Sequence, residues 1–301
     1  MSEQILSRWG VIGVNGDDAI TFLHSQLSND IVNLSINQLC LAGLCTAKGR
    51  LLGVFFVLRH ENQVFLLCRK EIIPTLVKRM SMFVLRSKCS VRDCSTEFLL
   101  TFLPSSISNH PMQVTWDDEG NAMASLRALN GQLPCLKMTK NKHTEMPVHG
   151  DDLFEFTLQQ LGIAYVTNPT VEMFIPQAIN LDLVGGISFT KGCYPGQEVV
   201  ARNHYLGKIK RRVFQASTTN KFLVCPGQDV WLSGKINEPA GLVVTSIEFN
   251  HQQFLLLELM VDDVEQPNAL FRVNTKMGEV QLDVKAPPYD VRQKGNLFES
   301  T

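Results

Sequence analysis

From Lys191 to Arg202 the sequence reads KGCYPGQEVVAR, which sets one thiol among glycines and charges. Lys191 lies two residues before Cys193 and Arg202 nine after it. Cations near a thiol favour the thiolate, the form that attacks electrophiles and binds metals. Gly192 and Gly196 permit close backbone approach or positive φ, so that amide groups could face the sulfur, and Pro195 stiffens the turn. Glu198 opposes ionisation if it faces the sulfur as a carboxylate, and assists if it takes the proton. The plainer alternative is a small buried cysteine in a glycine turn, with Lys191 and Glu198 as solvated charges. A Cys–His protease is unsupported, because the seven histidines are scattered without a pattern.

A basic run follows the motif. Arg202, Lys208, Lys210, Arg211, Arg212 and Lys221 occur with no Asp or Glu from Val199 to Gln228. The run reads either as a solvated edge or as a patch for an anionic ligand tail or RNA phosphates. No helix-turn-helix, zinc-finger or RNA-recognition pattern accompanies it, so sequence-specific reading of nucleic acid is unsupported.

The chain around these residues has 301 positions, 45% hydrophobic and 19% charged, with a net charge of −1. That composition buries a large core over two or three structural units and leaves no global attraction for nucleic acid or membrane. The N-terminus lacks the pattern of a secretory signal. The longest strongly apolar run, Leu51 to Leu58, is far short of the ~20 residues that span a bilayer. A soluble, cytoplasmic protein is expected, with no membrane partner. The eight cysteines include no C-x-x-C, so free thiols are expected rather than disulfides. The C-x4-C pairs Cys40/Cys45 and Cys89/Cys94 lack a second pair or a histidine at ligand spacing, and no metal site is assigned.

The elements that must position the motif follow from periodicity. Residues 8–14 read as a strand, and 15–31 as a helix capped by Asn15 with Asp17 and Asp18 in its first turn. LCLAGLCT, LLGVFFVL and QVFLLC read as strands, Glu71 to Met82 as a helix, and KCSVRDC and EFLLTFL as further strands. QVTWDDEGNAMASL reads as a hairpin around DDEG, and Gly131 to Asp151 as an irregular connection. A helix is expected from Asp152, with Glu155 completing a capping box. From Arg212 onward five or six short strands suggest a small barrel or sandwich, while the earlier part alternates helices and strands in α+β fashion.

KGCYPGQEVVAR resembles the K-G-C-[FY]-x-G-Q-E-x3-[KR] signature of the YgfZ family, the folate-binding proteins linked to tRNA modification in bacteria. FIPQAINLDLVGGISF is similar to that family's lead-in to the motif, and FLHSQLSNDI and CTAKGRLLGVFFVLR resemble its N-terminal segments; the likeness runs from Trp9 to APPYDV. The resemblance implies an α+β fold related to the T-protein of the glycine cleavage system, a tetrahydrofolate-dependent aminomethyltransferase. Two ferredoxin-like lobes would frame a ligand channel, with a small C-terminal β-barrel. The implied segments are 1–45 with 150–210 for the motif-bearing folate lobe, 46–149 for the second lobe, and 211–301 for the barrel.

The implied function is a folate-dependent role in making or maintaining iron–sulfur enzymes, among them the one that thiomethylates tRNA. The rival is a one-carbon or aminomethyl transferase. A reduced folate such as tetrahydrofolate is the implied cofactor, and iron–sulfur enzymes such as the tRNA methylthiotransferase are the implied partners. A weak tRNA contact through Arg202–Lys221 is a further expectation. Cys193 matches the family's working cysteine, and Asp30 the aspartate that T-proteins use in folate chemistry. Lys191, Tyr194, Gln197, Glu198 and Arg202 match the rest of the motif. Trp9 and Phe154 fall where relatives place tryptophans beside folate; Phe154 keeps a stacking face but lacks the indole donor. The relatives' E-A-G aligns with Gln160, Leu161 and Gly162, so an uncharged amide stands where T-proteins grip the pterin with Glu.

Overall fold

A computed structural model of the chain describes residues 3–105, 110–140, 150–207, 209–235 and 237–295. In chain order its elements are β1 (Gln4–Ile5), β2 (Trp9–Asn15), α1 (Ala19–Gln26), β3 (Cys40–Cys45), β4 (Leu51–His60), β5 (Gln63–Arg69), α2 (Ile73–Val84), β6 (Ser90–Asp93), β7 (Phe98–Leu103), β8 (Val114–Trp116), β9 (Ala122–Ser125), β10 (Cys135–Lys140), α3 (Asp151–Gln160), α4 (Gln197–Tyr205), β11 (Arg211–Thr218), β12 (Asp229–Leu232), β13 (Gly241–Phe249), β14 (Gln252–Met260), α5 (Val261–Val264), β15 (Phe271–Thr275) and β16 (Gly278–Lys285). They form two five-stranded antiparallel sheets, ordered β3-β4-β5-β2-β6 and β1-β7-β10-β9-β8, and a closed barrel ordered β11-β14-β13-β12-β15-β16. The α+β class and the C-terminal barrel are as the sequence led one to expect.

The two sheets share one hydrophobic core, and the barrel holds its own. Phe154 of α3 joins the sheets. Its ring lies 5.0 Å from Trp9 on the first sheet and 5.2 Å from Phe102 on the second. β3 and β4 pair as a hairpin within the first sheet, so that sheet continues across the expected segment boundary at residue 45.

Three local expectations are corrected. α1 starts only at Ala19, because Asn15 is still paired in β2 and Asp18, not Asn15, precedes the helix. Gly131 to Asp151 is not wholly irregular. Cys135–Lys140 is a central strand between β7 and β9, whose ladder bonds override its polar composition; residues 141–149 lie outside the described part. Glu155 forms no capping box. Asp151, at the start of α3, instead accepts bonds from the Ser7 and Arg8 backbone amides, at 3.0 and 2.9 Å.

The segment between α3 and the barrel is held by side chains rather than by a ladder. Asn180, at φ 61°, donates to Val213 O (2.9 Å) and accepts from Val213 N (3.1 Å), mimicking a strand neighbour for β11. Tyr289 donates to Gly162 O at 2.6 Å, and its hydroxyl would lie 2.7 Å from a Cβ at Gly162, whose φ is +66°. Arg212 is 1% exposed and pairs bidentately with Asp182, at 2.6 and 3.1 Å, while also donating to Gln177 O, Val291 O and Gln293 O. This one side chain fastens the barrel, the segment before the motif and the C-terminal strap. Burial raises the pKa of Asp182, opposed by the Arg212 guanidinium. Arg212→Met should leave that carboxylate stranded and destabilise the protein by about 3–5 kcal/mol in denaturant titration. The double variant Arg212→Met with Asp182→Leu should recover much of the loss; equal loss in single and double variants would disprove the stranded-charge account.

Candidate functional site

The motif turn is built on a glycine contact. Gly196 precedes α4 at φ +82°, and a Cβ there would sit 2.5 Å from Thr46 O and 2.6 Å from Gly49 Cα. Gly49, at φ +71°, faces Val199 in return. The turn Thr46–Gly49, in the TAKGR stretch, therefore seats against the start of the motif helix, and only glycine fits this approach. Gly192 differs, since a Cβ there would meet nothing within 4 Å; its expected role in close approach is not found.

Cys193 is exposed, which sets aside the reading of a small buried cysteine. Tyr194 beside it is buried, and burial raises its pKa. Lys191 is also buried, which sets aside the alternative of a solvated charge at that position. Its ammonium donates to His24 O and, at 2.7 Å, to Leu27 O, the carbonyls at the end of α1, and lies 5.0 Å from the Tyr194 ring centre. These are the acceptors a cation favours at a helix C-terminus. Burial lowers the Lys191 pKa to about 8, opposed by the charges of Asp30 and Cys193. Glu198 and Arg202 form an exposed i,i+4 pair at 3.3 Å on α4, and Gln197 is half-buried in its first turn.

Asp30 stands just past the same helix end. Its carboxylate accepts from Asn33 N (3.0 Å) and Asn33 Nδ2 (2.7 Å) and lies 3.2 Å from His24 Nδ1. Burial would raise its pKa, but the Asn33 bonds, His24 and Lys191 together hold it below the usual range. Burial and the Lys191 charge lower the His24 pKa. Ser28 and Asn29 fix this loop. Ser28 Oγ donates to Gly186 O and accepts from Gly43 N, while Asn29 Nδ2 donates to Leu41 O and Gly185 O. LSNDI, β3 and VGGISF, distant in sequence, thus meet at one place.

Asp30 lines a cavity of about 360 Å³ with Asn33, Gln38 and Arg127 as polar lining and Leu39 and Met112 as apolar wall. Burial lowers the Arg127 pKa to about 10, and its guanidinium donates to Val184 O at 2.8 Å. The cavity offers a carboxylate, amides and a cation beside apolar surface, a donor set that fits the hydrogen-bonding edge and flat ring of a pterin. Arg127, Gln38 and His24 were not singled out in the sequence.

Trp9 and Phe154 do meet, but each other. Trp9 also packs on Tyr165 at 5.3 Å, both Trp9 and Phe154 are buried, and neither lines the Asp30 cavity. Glu155 lies beneath them. It accepts from the Trp9 indole (3.3 Å), Tyr165 (2.9 Å) and Arg69, and Arg8 lies 3.2 Å away. Burial raises its pKa, opposed by Arg69 and Arg8. Gln160 ends α3, its backbone carbonyl accepting from Gln215 at 3.1 Å, and it too lies away from the cavity. The basic run is also divided. Arg212 is interior, Arg211 pairs with buried Glu258 at 2.8 Å, Lys210 and Lys221 are exposed, and Lys208 lies outside the described residues.

No family model matches the chain. It is 27% identical over 312 residues to the tRNA-modifying protein YgfZ of Cronobacter sakazakii, covering 96% of this chain and 93% of that one. It is 28% identical over 273 residues to the protein of that name from Aliivibrio fischeri, covering 87% and 85%. Among solved structures, the glycine cleavage system aminomethyltransferase T of Bartonella henselae superposes with a TM-score of 0.64 at 12% identity, over 97% of this chain and 87% of that one. The fold is shared with that protein.

Two measurements follow from the site. Cys193 and Cys225 are exposed, whereas burial pushes Cys40 and Cys45 up to about 12 and raises Cys68 further. Alkylation of the native protein near neutral pH, read by peptide mass spectrometry, should mark Cys193 and Cys225 first; equally fast labelling of Cys45 or Cys68 would refute the burial. Lys191 loses its proton near 8 in the fold and near 10.5 when unfolded, so between these values the unfolded chain binds more protons and stability rises with pH. The wild type should therefore gain stability relative to Lys191→Met as pH climbs through that window in thermal melts; a constant difference would contradict the buried amine.

Proposed function

With the likeness to the YgfZ family established along nearly the whole chain, we propose that this protein is a folate-binding accessory factor of tRNA modification, supporting iron–sulfur enzymes through Cys193. The observation that carries the reading is the position of Asp30. It lines the cavity and also bears electrostatically on Lys191, which in turn senses Cys193.

In this reading Asp30, Gln38 and Arg127 hold the polar edge of a reduced folate, and Leu39 and Met112 pack its ring. A bound reduced folate supplies a nitrogen that carries one-carbon units. Asp30, kept ionised below the usual carboxylate range, is an acceptor for a ring N–H. Its charge also stabilises the Lys191 ammonium, two residues before Cys193 in the motif. The cavity and the motif are thereby joined through one buried cation. The thiol itself is open to a client protein, with Glu198 and Arg202 exposed on α4, the helix that follows it.

A second reading, a one-carbon or aminomethyl transferase, is favoured by the same Asp30, which matches the T-protein aspartate and lines a cavity. Turnover with tetrahydrofolate and a one-carbon donor, abolished in Asp30→Asn, would select it.

The reporter for binding is Trp116. Its indole donates to Ile36 O at 2.9 Å, two residues from Gln38 on the cavity wall, whereas Trp9 is sealed in the core. Titration with 5-formyltetrahydrofolate should quench Trp116, and Asp30→Asn should weaken binding at least ~10-fold, as expected for loss of a charged hydrogen-bond partner. In cells, Cys193→Ser should fold normally yet lose tRNA thiomethylation. Unchanged affinity in Asp30→Asn would remove the cavity from the reading, and full thiomethylation with Cys193→Ser would remove the thiol.

A further inference from the structure

A second cavity, of about 390 Å³, lies where three parts of the chain converge. Arg50 comes from the turn that seats Gly196, Asn203 from the motif helix α4, and Lys210, Arg211 and Glu258 from the barrel and its approach. Ile175 and Ala178 supply apolar surface. Three cations face one carboxylate.

The carboxylate is already neutralised. Glu258 is buried, and Arg211 Nη1 is bound to its Oε2 at 2.8 Å and to Ala240 O at 3.1 Å. Burial raises the Glu258 pKa, opposed by Arg211 and then Arg50. Arg50 Nη1 donates to Met173 O at 2.6 Å, which fixes the direction of its guanidinium. Lys210 is exposed. With Arg211 matched to Glu258, Arg50 and Lys210 leave two net positive charges around a concave space. Each comes from a different segment, so the excess is a product of the fold and not of a lysine-rich stretch. The stretch from Val199 to Gln228 holds no acidic residue to offset it.

We propose that this cavity is a phosphate-binding site. Two cations lining one cavity, together with Asn203, suit an anion that carries several acceptor oxygens on one centre. The anion could be a free phosphate ligand or a phosphodiester of RNA; the chemistry is the same, and the experiment separates the sources. The RNA source rests on the tRNA reading above, whereas the phosphate site itself does not. If RNA is the source, the site holds a strand beside the helix whose first turn follows Cys193.

The probes are inorganic pyrophosphate, by calorimetry of the full chain at low salt, and a single-stranded RNA oligonucleotide, by fluorescence anisotropy over a salt series. The variants are Lys210→Gln, the double variant Arg50→Gln with Lys210→Gln, and Lys221→Gln as an exposed control outside the cavity. Lys210→Gln keeps the test valid if loss of the Arg50 tie to Met173 disturbs folding. Pyrophosphate should bind the wild type, several-fold more weakly Lys210→Gln, and at least ~10-fold more weakly the double variant. RNA affinity should fall in step, with the salt slope reduced by about 1 per removed phosphate contact. Pyrophosphate behaving so while RNA affinity is unchanged would assign the site to a free phosphate ligand. No pyrophosphate binding, or equal loss in Lys221→Gln, would overturn the proposal. The folate titration, read at Trp116 in the same variants, should not change, so failure of the folate reading would be seen separately.

Discussion

The arrangement of the site depends on one buried ammonium. Lys191 could have been a solvated charge, as its place in a glycine-rich turn suggests. Instead its amine enters the end of α1 and takes the carbonyls of His24 and Leu27. A helix of eight residues leaves its last carbonyls without intrahelical donors. The motif lysine supplies donors, and in return the helix end fixes the motif. Because Asp30 follows directly after that helix, the same contact brings a carboxylate near the lysine and, through it, near the thiol. Desolvation opposes this placement; the Asp30 and Cys193 charges offset only part of that cost, since the amine's pKa still falls to about 8. A residue kept charged at such expense is better understood as a connector than as packing.

The inter-sheet core shows the same economy with opposite sign. Glu155 is a buried anion, and four groups from three parts of the chain converge on it: Trp9 with Arg8 before it, Arg69 of β5, and Tyr165 from beyond α3. Truncating any one would leave polar atoms unmatched in a low-dielectric interior. Trp9 therefore has two duties, ring packing against Phe154 and donation to Glu155. Phe154, having no donor, packs on both sheets through its ring alone. This explains how a phenylalanine is accommodated there: the Glu155 carboxylate has its donors without it.

Much of this was legible in the sequence, and what was missed shares a cause. The strands from Trp9 to Leu103 and the barrel strands from Arg211 carry strong local patterns, and they appear where periodicity placed them. The motif's chemical residues were also visible, because glycines and charges crowd one cysteine. The failures are non-local. β10 has an unremarkable polar sequence, and only its neighbours β7 and β9 make it a strand. Glu155 sits three residues into a helix as a capping-box residue would, yet turns inward because Arg69 and Trp9 wait there. Gly196 was noted for its freedom, but the reason for it, the backbone at Thr46 and Gly49, lies about 150 residues away in the chain.

The basic run shows why a count of charges misleads until burial is known. By sequence, Arg211 and Arg212 are adjacent members of one patch. Alternation along β11 sends them to opposite sides. Arg212 becomes an interior clamp on Asp182, and Arg211 neutralises Glu258. Neither contributes a free charge to the surface. Arg50, which belongs to no basic run, gains importance because it follows the turn that accommodates Gly196 and lines the second cavity together with Lys210. The usable positive potential is therefore set by the contact between the Thr46–Gly49 turn and the motif helix. The glycine that seats the cysteine motif also assembles the cation pair beside it.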